Sequence, residues 1–216
     1  MFPYSDADAK VVREFADVVE VTSRAEDVIT HKKSSRTVEA ITVSLRFLQQ
    51  QENFIFKHAK FCECMGFAAE ACCFAAGFGF KHMESIEITP ESCKLGYIYL
   101  KMVSEEAAAT FSSAVSRFQE RMAIEAEVNY LDTEHVGDLD EGLLIHSFLS
   151  CCRMIQPGNY AILVTKNPDF KLEDYDVDYL KLILPTTVAK GQSDEGYVWV
   201  LKRLSDFVGQ SVHLIR

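Results

Sequence analysis

The sequence predicts a mostly α protein: antiparallel helical hairpins, solenoid-like or bundled, with a small α/β element at the C-terminus. Three observations predict it. Apolar residues recur at spacings of three and four through the first two-thirds of the chain. Helix-start signals stand at Thr89-Pro90-Glu91 and Ser104-Glu105-Glu106. Short apolar runs that read as strands stand in the last third. The expected division is a helical domain over 1–156 and an α/β element over 157–216 packed on it.

Taken in order, Ser5 offers an N-cap to a helix lined by Val11, Phe15, Val18 and Thr22, with Asp6 and Asp8 in its first turn. "THKKSS" at 30–35 is a polar break. Beyond it, Val38, Ile41, Leu45 and Leu48 mark an amphipathic helix, either one long rod reaching Cys62 or two joined near Gln50. Thr89-Pro90-Glu91 opens another helix. The helix opened by Ser104 carries the stripe Ala107, Ala108, Phe111, Ala114, Val115, Phe118, Met122 and Ala126. Asp138 with Glu141 reads as a capping box for a helix over 139–155, which Pro157-Gly158 ends. "YAILVT" (160–165) and "YLKLILP" (179–185) read as strands, 194–208 as a helix lined by Tyr197, Leu201, Leu204 and Phe207, and "SVHLIR" as a closing strand.

Composition limits function. With 48% of residues apolar and 25% charged, the 216-residue chain can bury a core and does not read as disordered. A formal charge of −10 argues against binding nucleic acid by phosphate neutralisation, since Lys32, Lys33 and Arg36 form the only small basic cluster. A basic protein partner, or simply solubility, explains the charge better. The longest nearly apolar stretch, Phe67 to Phe80, spans 14 positions and includes Glu70, short of the roughly 18–20 a membrane helix needs. The N-terminus lacks the basic and apolar regions of a signal peptide, and the cysteine number, seven, is odd. Reduced thiols in the cytoplasm or nucleus are expected.

The stretch from His58 to His82 holds His58, Cys62, Cys64, Cys72, Cys73 and His82. Zinc sites prefer Cys-x2–4-Cys pairs in turns. In a helix the Cys62-x-Cys64 pair would point about 200° apart and could not share an ion. Adjacent Cys72-Cys73 lacks the C-x-x-C spacing of reactive pairs. Buried packing accounts for the composition: cysteine, alanine and glycine let two helices approach, Phe67, Phe74, Phe78 and Phe80 fill the gaps, and Gly66 takes the turn. A shift of 37 residues lays Met65 on Met102, Ala71 on Ala108 and Phe74 on Phe111, a repeat of helix, turn and alanine-rich helix.

The second of these units, "LGYIYLKM" with Ala107-x-x-x-Phe111-x-x-Ala114, resembles a tetratricopeptide repeat, within residues 52–126. The resemblance implies paired helices forming a groove that holds a peptide or partner helix, and hence a non-enzymatic interaction scaffold or adaptor subunit.

No G-x-S-x-G, phosphate-binding glycine loop, H-E-x-x-H or complete dinucleotide fingerprint is present, and "GFGFKH" (77–82) reads as a helix end. No catalytic residue, metal or cofactor is expected. Residues 138–170 resemble the late part of PIN-type nucleases. That resemblance implies a metal-dependent ribonuclease with Asp138, Asp140 and Asp169 holding magnesium or manganese. A further alternative is a structural subunit of a larger assembly, its apolar faces covered by neighbours. The remaining candidate is the acidic turn Glu173, Asp174, Asp176 and Asp178. With Tyr175 and Tyr179 adding contact area, it reads either as a solvated loop or as a docking patch for the basic partner.

Overall fold

Polar Ser34 and Ser35 lead into the first described helix, and the stripe behind them explains where it lies. The computed structural model describes residues 34–66, 69–87, 90–115, 126–133, 140–190 and 195–205. Helix α1 (Ser34–Gln51) buries Val38, Ile41, Leu45 and Leu48 as the spacing requires. It is one helix that ends at Gln51, and the chain then enters a single 3-10 turn, Phe56–His58.

From here the structure departs from the helical prediction. Residues 60–64 form strand β1 (Lys60–Cys64), not a helix. Phe61, Cys62, Glu63 and Cys64 are all buried, because a central parallel strand has both faces covered and reads as a continuous apolar run. Helix α2 (Glu70–Gly77) follows, then β2 (His82–Glu87), α3 (Pro90–Val103), α4 (Glu105–Thr110) and β3 (Ser112–Val115). Strand β4 (Val128–Asp132), α5 (Glu141–Cys151), β5 (Tyr160–Thr165), β6 (Leu180–Lys190) and β7 (Glu195–Arg203) complete the order.

The described strands make one sheet, seven of them in the order β3-β2-β1-β4-β5-β7-β6. Five are parallel; β7 runs antiparallel between β5 and β6. Among the described strands β6 lies at the edge, where the sheet tolerates Pro185 and the register shifts at Leu182/Leu184 and Leu184/Thr187. β1–β4 precede residue 156 and β5–β7 follow it.

Alternating side chains sort the core into two layers. Phe61, Met83, Val128, Tyr130, Ile162, Val164, Val198 and Val200 meet α1, α2 and α3 on one face. Cys62, Cys64, Ile86, Leu131, Leu163, Trp199 and Leu201 meet Leu144, Ile145, Phe148 and Leu149 of α5 on the other. The architecture is α/β/α, so the mostly α hairpin prediction is overturned.

Particular corrections follow from that. The helix placed at 104–126 stops at Thr110 and becomes β3 at Ser112, parallel to β2. Ser104 does cap its start, accepting from Ala107 N at 3.1 Å. Of the helix placed at 194–208, residues 195–203 are β7, where Tyr197 and Leu201 share a face because a spacing of four is even, and Phe207 lies outside the described residues. The 37-residue repeat lays a strand, β1, over a helix, α3, so it is no structural repeat. The strand at 160–165 stands as predicted, and the second C-terminal strand is longer than predicted. Helix 139–155 is shorter, and its described cap is Asp140, accepting from Gly142 N at 2.8 Å and Leu143 N at 3.2 Å. The helix from Ser5, the cap Asp138, the stripe residues Phe118 and Met122, and the strand at 211–216 lie outside the described residues. No helix among the described residues is long and apolar enough to cross a membrane.

Candidate functional site

In an open parallel sheet, ligands bind beyond the carboxyl ends of the strands, at the point where the strand order reverses. Here the order runs outward from β1 in one direction and from β4 in the other, so the crevice opens between the ends of those two strands. The residues there are acidic and buried. Glu63 lies near the end of β1, Glu87 ends β2, Asp132 ends β4, and Glu70 begins α2; their exposures are 1%, 1%, 3% and 3%. Odd-even alternation puts Glu63 on the same sheet face as Phe61, and Glu87 on that of Met83, towards α1 and α2.

The loop after β1 is built around Glu63. Its carboxylate accepts from Ala71 N at 3.1 Å and Cys72 N at 2.9 Å, so it caps the N-terminus of α2 from eight and nine residues upstream. Gly66 leaves the room: a Cβ there would lie 1.6 Å from Glu63 Oε1. Met65 and Ala69 take left-handed backbone at φ 58° and 55°, and Met65 N donates to Ile86 O at 2.7 Å, tying the loop to the end of β2. Because Glu63 already occupies two amides of α2, this N-terminus is not arranged to receive a dinucleotide diphosphate. Burial, then the neighbouring charge of Glu87, pushes the Glu63 carboxyl up to about 8, and Glu70 adds to it.

On the other side of the crevice, Arg36 of α1 pairs with Asp132, both side chains nearly inaccessible. Tyr130 Oη donates to Asp132 Oδ2 at 3.4 Å. A Cβ on Gly196 would sit 2.5 Å from Arg36 Nε, so glycine at the head of β7 makes space for the guanidinium. Glu141 joins the ends of β4 and β5, accepting from Thr133 Oγ1 at 2.6 Å and from Lys166 N at 3.1 Å.

The residues singled out in the sequence fall elsewhere. Glu173, Asp174 and Tyr175 form a 3-10 turn (Leu172–Tyr175), Asp176 follows in left-handed backbone, and Asp178 is exposed. The Tyr175 ring lies tilted against Phe170, centroids 5.4 Å apart, and Phe170 packs on Trp199. Tyr179 Oη donates to Leu149 O at 2.9 Å, with Arg153 and Arg203 over its ring. Of the nuclease-like acids, Asp140 is a helix cap, Asp169 accompanies Asn167 in a turn, its N–H donating to Asn167 Oδ1 at 2.9 Å, and Asp138 lies outside the described residues. Among the described residues no group of three or more histidine, cysteine or acidic side chains could hold a metal ion. Cys62 and Cys64 lie in a strand and face the same way, into the second core.

All seven cysteines are free thiols, and only Cys93 is partly exposed. Burial holds Cys64, Cys72, Cys73 and Cys152 well above the ordinary thiol range. In the native protein a thiol reagent should therefore titrate one cysteine rapidly and the other six only on unfolding.

Solved structures with this fold give the comparison. TrmN from Thermus thermophilus superposes with a TM-score of 0.60 and 16% identity, covering 79% of this chain and 53% of TrmN. The N-methyltransferase NodS from Bradyrhizobium japonicum WM9 gives 0.59 and 13%, covering 79% of this chain and 97% of NodS. A proposed RNA methyltransferase from Pyrococcus horikoshii gives 0.59 and 9%, covering 79% and 83%. NodS has also been solved in complex with S-adenosyl-L-homocysteine. No protein-family model and no curated protein matches the sequence. The chain spans about half the length of TrmN.

The fold is thus a Rossmann-like α/β fold, shared with these methyltransferase structures. It replaces the tetratricopeptide-like and PIN-type resemblances alike, and it removes the paired-helix basis of the scaffold, adaptor and assembly-subunit readings.

Proposed function

We propose that the chain is an S-adenosylmethionine-dependent methyltransferase. The observation that carries this reading is the β3-β2-β1-β4-β5-β7-β6 sheet with buried carboxyls at the ends of β1 and β2. The donor set fits the cofactor. S-adenosylmethionine carries a sulfonium, an ammonium and a ribose diol, all of which seek carboxylate partners, and it brings no diphosphate to compete with Glu63 for α2.

When bound, the cofactor supplies an electrophilic methyl group on its sulfonium. Glu87, the last residue of β2, would hold the ribose hydroxyls, with Ser85 Oγ fixing its carboxyl at 2.5 Å. Glu63 and Gly66 would form the floor under the amino-acid portion. An acceptor entering between the ends of β4 and β5 meets Asp132, oriented by Arg36 and Tyr130, and Lys166, whose backbone Glu141 fixes. The free thiols suit a reducing compartment, cytoplasmic or nuclear.

Calorimetric titration with S-adenosylhomocysteine tests the reading, with binding expected. Removing a charged hydrogen-bond acceptor costs about 1.5–3 kcal/mol, so Glu87→Ala should weaken that binding by about ten- to a hundredfold. Wild-type protein that binds neither S-adenosylhomocysteine nor S-adenosylmethionine would refute it.

A further inference from the structure

Away from the crevice, the outer flank of α3 meets β3 at a cavity of about 470 Å³, within the range of roughly 300–1,000 Å³ that small-molecule sites occupy. Among the described strands β3 ends the sheet, paired with β2 alone. Helix α3 turns Tyr99 and Leu100 into the first core. That leaves Cys93, Lys94, Tyr97 and Ile98, two adjacent pairs one turn apart, to line the cavity. Phe111, packed on the same core, and Ser113 of β3 line it from the strand side. None of these six residues belongs to the crevice.

The walls are apolar and carry one charge. Tyr97 and Ile98 are 46% and 41% exposed, neighbouring large side chains left half in water. Lys94, exposed and the one charged residue in the lining, takes part in none of the ion pairs among the described residues. Hydroxyls of Tyr97 and Ser113 supply further donors. Extent decides what kind of molecule fits. A docked helix needs anchors over more than the two turns of α3 available, and an added strand would find four residues, two of them serine. A compact ligand meets neither limit.

We propose that this cavity binds a small amphiphile, an apolar body ending in a single carboxylate. Lys94 pairs with the carboxylate, and Tyr97, Ile98 and Phe111 enclose the apolar body. Cys93 stands in the wall, so an occupied cavity shields its thiol, the one among the seven that is partly exposed. The proposal goes beyond the methyltransferase reading and does not depend on it.

Decanoate, kept below its micellar concentration, is the probe, with decanol and decyltrimethylammonium as neutral and cationic counterparts. Labelling of the full chain by a thiol reagent, with the modified residue mapped to Cys93, gives the readout. At about ten times its dissociation constant decanoate should slow that labelling by about tenfold, because the thiol reacts only in the empty fraction. Decanol should bind more weakly and decyltrimethylammonium more weakly still. Lys94→Gln should weaken decanoate by about two- to fivefold, the scale of an exposed ion pair, and leave decanol unchanged. No protection of Cys93 in wild type overturns the proposal, and that measurement needs no variant. Equal protection by all three probes, or equal decanoate affinity in Lys94→Gln, overturns the assignment of an anionic ligand. Labelling that slows as protein concentration rises, with no probe present, would show a second copy covering the cavity and overturn the proposal.

Discussion

Asp132→Ala is expected to destabilise the protein by about 3–5 kcal/mol, the cost of stranding a buried charge. For a chain of this size that corresponds to a fall in melting temperature of about 6–20 °C. The argument rests on burial: the Arg36 and Asp132 side chains are 1% and 3% exposed, so water cannot take the place of the lost carboxylate. Gly196 is part of that enclosure, since Arg36 Nε occupies the space a Cβ there would take. The pair also pins the start of α1 to the end of β4, so its loss should loosen the acceptor side of the crevice. Replacing both partners by apolar residues, Arg36→Met with Asp132→Leu, should recover most of the stability, because the penalty lies in the unpaired charge rather than in the absent bond. Urea denaturation of the single and double variants measures it. A single variant losing under about 1 kcal/mol would show the pair to be solvated.

Much of the helical part was legible. Val38, Ile41, Leu45 and Leu48 gave α1, and Thr89-Pro90-Glu91 marked the start of α3. The strands were legible only where a β-branched run stood between turns, as in β5. Strand β1 was hidden because both of its faces are buried, so "KFCEC" shows no polar alternation to set against helical spacing. Strand β7 was hidden because Tyr197 and Leu201 are four apart, a spacing that one helix face and one strand face both satisfy. In 104–126, Ala107 and Ala108 are buried in a helix of six residues and Phe111 packs on the same core after the chain has become extended. The stripe was real as packing and wrong as geometry.

The site was harder to see for a related reason. The "IEITP" segment was read as a spacer between two helical units. Ile86 and Glu87 end β2, and an acid two residues before the helix-start signal Thr89-Pro90-Glu91 was the available clue. Glu63 could not be singled out, because a carboxylate inside an apolar run signals function only once the run is known to be a central strand. The acidic turn at 173–178 stood out for the opposite reason: exposed charges are conspicuous in a sequence, whereas the carboxyls gathered at the crevice come from separate elements and are brought together only by the parallel order of the strands.

Gly66→Ala is the substitution expected to damage the crevice most directly. The added Cβ would fall 1.6 Å from Glu63 Oε1, 2.0 Å from Cδ and 2.5 Å from Cγ, contacts no pair of atoms tolerates. Because Glu63 is enclosed, its side chain must swing off the amides of Ala71 and Cys72 or the loop must shift. Either response leaves buried polar groups without their hydrogen bonds, at about 1–3 kcal/mol for each, so a loss of roughly 3 kcal/mol or more is expected. Affinity for S-adenosylhomocysteine should fall with it, since the floor of the crevice has moved. Gly79 supplies the contrast: its φ is +102° with nothing within 4 Å of a Cβ, so Gly79→Ala should cost only the backbone strain, about 1–2 kcal/mol, and spare binding. The decisive comparison is Gly66→Ala made in a Glu63→Ala background. With the obstructing carboxyl removed, the methyl group has room, and the second substitution should add almost nothing to the cost of the first. Equal losses in both backgrounds would mean that Gly66 serves the loop's own backbone and not the carboxyl packed against it.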